Sequence, residues 1–222
     1  MRQLYHLPID PTCRMVRILL AEKELDCELR AEKVWERREA FLRLNPAGEV
    51  PVLIDHDGTT LAGGRAIAEY LDELYGEPPM IGENPIDRAE VRRLFDWFDL
   101  KFRREVSTNL LDQKILNRYL GLGTPNASAI RAGLKNIHYH LDYIGWLGER
   151  RRWLAGDYLS VADLMAAAHL SALDYLGDVP WADHIGAKDW YARFKSRPSM
   201  RAILSDLISG IRPPAHYADL DF

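Results

Sequence analysis

The chain has 222 residues, 47% of them hydrophobic and 28% charged, with a formal net charge of −4. This length suits one large core or two smaller ones, and the balance is that of an ordinary globular protein with no broad attraction to nucleic acid or anionic membrane. No apolar run approaches the ~20 residues that span a bilayer, so membrane insertion is not expected. Two cysteines, Cys13 and Cys27, are too few for a disulfide framework and have no metal-site spacing.

The start, from Met1 to Tyr5, lacks the apolar stretch of a secretory leader, so a cytoplasmic setting is expected. Residues 3–6 read as a short buried strand ended by Pro8 and Pro11. Helical periodicity over 12–24 puts Met15, Val16, Leu19 and Leu20 on one face. A second strand is predicted over 27–34 and a charged helix over 36–44. Residues 50–54 then read as a strand, Asp57-Gly58 as a hairpin turn, 59–61 as its partner and 64–74 as a helix. That order, βαβ followed by αββα, is that of a thioredoxin-like domain over residues 1–76.

Gly76-Glu-Pro-Pro is a breaker, and residues 77–86 are expected to be a linker. Asn84 as cap, Pro85 at the first helical position and Asp87 in the first turn start a helix well. Residues 87–211 read as all-helical. The stripe of Leu94, Phe95, Trp97, Phe98 and Phe102 is either core or a dimer seam, and the phenylalanines are the candidate for part of a seam. At Ser160 to Leu164, Ser160 caps a further helix while Asp163 reaches back to it, a folding role rather than a catalytic one. A tail from residue 212 to 222 follows, in which Pro213 and Pro214 stop any helix. His138 and His140 are two apart on a helix and share no face, so no metal is expected.

Four motifs in this order carry a resemblance: Leu4-Tyr5 with Arg14 to Arg17, Asn45-Pro46 with Val50-Pro51, Ala66-Ile67 with Glu69 to Leu71, and Ser160 to Leu164. The chain resembles the glutathione S-transferase superfamily over nearly its whole length. The resemblance implies a thioredoxin-like domain followed by an all-helical one, with a cis peptide before Pro51 that aims the Val50 backbone at the ligand site. It also implies where the chemistry should lie. Such an enzyme keeps the glutathione sulfur ionised with a hydroxyl or thiol donor after the first strand. Counting back from Val16-Arg17, the usual serine position falls on Asp10. An ionised Asp cannot donate, and its charge raises a nearby thiol's pKa.

Gly63-Gly64 replaces the Glu-Ser pair that normally holds the γ-glutamyl end of glutathione. Charge-assisted hydrogen bonds are worth about 1.5–3 kcal/mol each, so losing two weakens binding by roughly 10²- to 10⁴-fold. Arg65, moved into that space, would serve only the carboxylate. Asp10, Cys13, Val50, Pro51, Gly63 and Gly64 are thus read as a vestigial ligand groove, with no catalytic residue and no cofactor. Cys13 is open to two readings. Near a helix start, with Arg14 and Arg17 at hand, it is a candidate thiolate of a glutathione-dependent transferase or reductase. Otherwise it is a small residue filling the helix–strand junction.

Trp35 stands among charged residues, Glu36 to Glu39, and is suited either to anchor a partner or to cover the groove mouth. The end of the chain, Tyr217 to Phe222, alternates aromatic or aliphatic groups with acids, and either folds back or docks on a partner. With Gln3 to Pro8, Arg14 to Arg17 and Trp35 to Arg38, these features resemble a narrower family, the transferase-fold bacterial division proteins that localise with FtsZ. That resemblance implies a dimeric, non-catalytic cytoplasmic protein at the division site that bundles or curves FtsZ filaments. Trp35, Asp221 and Phe222 carry the contact on this reading. A third reading is a regulator bound to another machine, such as RNA polymerase.

Overall fold

The computed structural model describes residues 1–220. Leu4, Val52 and Leu53 are fully buried at the middle of a four-stranded mixed sheet of order β2–β1–β3–β4. β1 (Arg2–His6) runs parallel to β2 (Cys27–Ala31) and antiparallel to β3 (Val52–Ile54), which pairs antiparallel with β4 (Thr60–Ala62). The parallel pair needs a crossover, and α1 (Pro11–Glu22) supplies it. After β4 the chain turns at once into α3 (Gly64–Leu74), and a short α2 (Glu39–Leu44) precedes β3. The strand and helix order is as read from the sequence.

Two bounds differ. β2 stops at Ala31 because Glu32 turns inward to an ion pair with Arg38 and Val34–Glu36 forms a 3₁₀ turn. The turn ends on Arg37 in a left-handed conformation (φ 45°), so α2 begins at Glu39, three residues later than expected. β3 begins only at Val52, because Pro51 has no N–H for the ladder. The Val50–Pro51 bond is cis, as the resemblance implied.

The helical half begins at α4 (Pro85–Asp96), where Asn84 Oδ1 accepts from the Ile86 and Asp87 amides at 3.0 Å each. The rod continues with wider, π-type winding from Trp97 to Leu116 and ends in α5 (Asn117–Tyr119). α6 (Ala127–Gly148), α7 (Val161–Tyr175) and α8 (Ile185–Lys195) complete it. Every residue of α7 is buried, so it is the central helix, packed against α1 and the long rod. Its capping box forms as expected: the Asp163 carboxylate accepts from the Ser160 amide (3.1 Å), Ser160 Oγ (2.9 Å) and the Leu154 amide (2.7 Å).

The phenylalanine seam is corrected by this packing. Phe95, Phe98 and Phe102 are buried inside a single chain, with the Phe102 ring 4.8 Å from His140 and 5.2 Å from His169. They are core. The same rod exposes Leu100 instead, beside Trp97, whose ring lies 4.6 Å from Tyr143 and 6.1 Å from Tyr139.

The C-terminal segment folds back. Tyr217 is buried, its hydroxyl donating to Ile203 O and accepting from Arg14 Nη1, both at 3.2 Å. Ala218 to Leu220 are exposed. Asp221 and Phe222 lie outside the described residues.

Candidate functional site

The β1–α1 connection and the first turn of α1 carry Asp10 and Cys13. Asp10 is the N-cap of α1: its Oδ1 accepts from the Cys13 amide at 2.8 Å, satisfying one of the free N–H groups of the first turn. A carboxylate committed to this cap has no proton to give to a ligand sulfur.

Cys13 is fully buried, and its Sγ receives the Leu7 amide at 3.4 Å. Burial first, and then the Asp10 charge, push its thiol well above the ordinary range. The two arginines meant to lower it point elsewhere. Arg14 donates to Pro8 O (2.8 Å) and Ser171 Oγ (2.9 Å) as well as to Tyr217, while Arg17 grips Asp206 with both terminal nitrogens (2.6 and 2.9 Å). Burial in the core and a raised thiol pKa are the opposite of the exposed, electropositive setting in which an activated cysteine is found. Cys27 is half-buried and pushed up to about 11, chiefly by burial.

The remaining groove residues meet here. The Gly63 amide donates to Pro51 O at 3.1 Å, joining the Val50–Pro51 turn to the start of α3. Gly63 has φ +88°, a conformation glycine adopts without strain. Gly64 lies against α1, where an added β-carbon would come within 2.1 Å of Thr12 Cγ2. Thr12 Oγ1 in turn accepts from Arg103 of the rod, whose guanidinium also faces Asp10 (3.7 Å) and Asp99 (3.6 Å). The arginine thus bridges the start of α1 and the rod. Arg65 has not moved in; it pairs with Asp96 at 2.5 Å.

Between the start of α1 and the rod, beside Asp10 and Arg103, lies a cavity of about 30 Å³ bounded also by Leu7, Ser107 and Asp112; Val50, Pro51, Gly63 and Gly64 do not line it. Small-molecule sites run to roughly 300 Å³ and more, whereas this one has room for a water or two. Burial raises the Asp99 and Asp112 carboxyls above their usual range, with Arg103 opposing. Among the described residues no group of three or more His, Cys, Asp or Glu is arranged to hold a metal ion.

Trp35 sits apart from this cluster, half-buried rather than free. Its indole stacks on Tyr119 of α5, with centroids 4.9 Å apart and planes 4° from parallel. The pair ties the β2–α2 turn to the end of the rod.

Comparison with known proteins agrees with this architecture. Residues 4–79 match the N-terminal domain of the glutathione S-transferase family. FtsZ-localized protein A of Caulobacter vibrioides is 46% identical over 224 residues, spanning 100% of this chain and 98% of that one. The chain belongs to the glutathione S-transferase superfamily, within the family of FtsZ-localized protein A. In structure, FzlA from C. crescentus superposes with a TM-score of 0.96 at 47% identity, covering 100% of this chain and 99% of its own. A glutathione S-transferase from Rhodospirillum rubrum F11 superposes with a TM-score of 0.98 at 57% identity, covering both chains fully. Likeness alone therefore fits both a scaffold and an enzyme of this superfamily. No helix of the described residues is long and apolar enough to cross a membrane.

Three residues central to the site carried no signal in the sequence. Thr12 and Tyr119 matter through partners dozens of residues away, and Arg103, which also faces Asp99 one turn back, looks like any other member of the charged run from Lys101 to Glu105.

Proposed function

We propose that the chain is a non-catalytic division-associated protein of transferase fold that binds FtsZ filaments and bundles or curves them to promote constriction. The whole-length identity to FtsZ-localized protein A carries this reading. The local chemistry supports it: a capping carboxylate where a donor is needed, a buried thiol pushed well above its ordinary range, and Gly63-Gly64 where a γ-glutamyl grip would stand. Trp35 and the acidic end of the chain, Asp221 and Phe222, make the filament contact. The protein acts in the cytoplasm at the division site.

A homodimer fits this role, because a two-fold molecule offers two copies of one patch and modest affinity then suffices along a polymer. The surface that suits a second copy is the exposed aromatic face of the rod and α6. It carries Leu100 (61% exposed), Tyr139 (59%) and Trp146 (48%), beside Trp97 and Tyr143. Aromatic groups of this kind are enriched at protein interfaces.

Light scattering of GTP-assembled FtsZ tests the reading, with glutathione titration calorimetry alongside. A rise in scattering on adding the protein, with no heat from glutathione, is the expected pair of results. Glutathione binding and turnover without any effect on FtsZ would return the chain to the enzymes.

A further inference from the structure

The stack on Tyr119 connects Trp35 to more than the rod. The next residue, Arg118, lies over Gly210, where an added β-carbon would sit 3.5 Å from Arg118 Nη1. Gly210 is in the turn from Ile208 to Ile211, which Tyr175 pins by accepting the Ile208 amide (2.8 Å) and donating to Ile211 O (3.0 Å). The β2–α2 turn, the end of the rod and the start of the C-terminal segment therefore form one line across the surface. Its middle is apolar and open: Tyr119 is 39% exposed and Leu122 65%. Its flanks are cationic. Arg37, Arg118 and Arg212, one from each of these three elements, are exposed and form no ion pair with a carboxylate among the described residues.

We infer that Arg118 to Leu122 completes one docking surface with Trp35 and the C-terminal segment, and that its occupant is an acidic segment of the partner carrying an apolar side chain. The charge pattern selects this occupant: guanidinium groups grip carboxylates with paired hydrogen bonds, and an aromatic–leucine strip between them receives an apolar anchor. The inference rests on the filament-binding reading and adds to it the surface and the chemistry of the contact.

The test pellets the full-length protein with GTP-assembled FtsZ at low and high salt, comparing wild type with Arg118→Glu and Leu122→Asp. Both positions are exposed, and circular dichroism checks that each variant folds. The expected result is binding about tenfold weaker or worse for each variant, with a shallower salt dependence for Arg118→Glu because one charge contact is gone. Variants that pellet like wild type overturn this inference and leave filament binding standing. A wild type that does not pellet overturns the filament-binding reading and this inference with it. Tighter pelleting after deletion of residues 219–222 assigns the surface to the chain's own acidic end, and likewise overturns the inference.

Discussion

Gly64 and Thr12 approach so closely that a β-carbon on Gly64 would lie 2.1 Å from Thr12 Cγ2. The close approach of α3 to α1 thus depends on the missing side chain. Thr12 cannot turn aside freely, because its hydroxyl accepts from Arg103. Gly64→Ser, which restores the hydroxyl a glutathione binder uses, is expected to cost about 1–3 kcal/mol of stability, as overpacking does. Urea unfolding measures this, and calorimetry should show no glutathione binding in return.

Both thiols should be inert in the folded protein. Burial keeps Cys13 neutral and Cys27 near 11, so the thiolate is scarce at pH 8. Mass spectrometry after iodoacetamide is expected to find Cys13 unmodified until denaturant is added. Rapid alkylation of native Cys13 would restore it as a nucleophile.

His140 makes the fold acid-sensitive. It is fully buried, with Nδ1 accepting from Trp97 Nε1 at 3.1 Å and Nε2 facing Glu105 Oε2 at 3.1 Å. The indole can only donate, so Nδ1 must keep its lone pair and the ring must stay neutral. Burial lowers its pKa from 6.5 to about 4, against the opposing pull of Glu105. The unfolded chain therefore binds the proton more readily, and stability is full above pH 6.5 and falls as pH drops towards 4. This residue alone contributes about 3 kcal/mol across that window. Urea midpoints of wild type and His140→Gln between pH 7.5 and 4.5 check it: the gap between them should narrow on acidification.

The docking of the C-terminal segment rests on Tyr217. Its hydroxyl is one of the groups that meet the buried guanidinium of Arg14. Tyr217→Phe is expected to lose about 1.5–3 kcal/mol, the scale for a hydrogen bond to a charged group. Tyr217→Ala should lose about 3–5 kcal/mol by adding a cavity. Thermal unfolding reads both, and limited proteolysis should cut earlier within residues 208–220 in the alanine variant.

Local signals in the sequence were strong where a few neighbouring residues decide the structure. Asn84-Pro85 and Ser160 with Asp163 marked their helix starts because caps are made within four residues. Periodicity could not say which surface Phe95, Phe98 and Phe102 meet, since core and seam bury the same stripe. The pairing of Trp35 with Tyr119 spans 84 positions, and the burial of Cys13 comes from the tertiary packing around α1; neither leaves a local trace.

The most direct test of the account is co-sedimentation of wild type and Trp35→Ala with GTP-assembled FtsZ from the same organism. The account predicts that wild type pellets with the polymer and that Trp35→Ala, still folded by circular dichroism, stays in the supernatant. Wild type remaining in the supernatant, or Trp35→Ala pelleting as well as wild type, would contradict it.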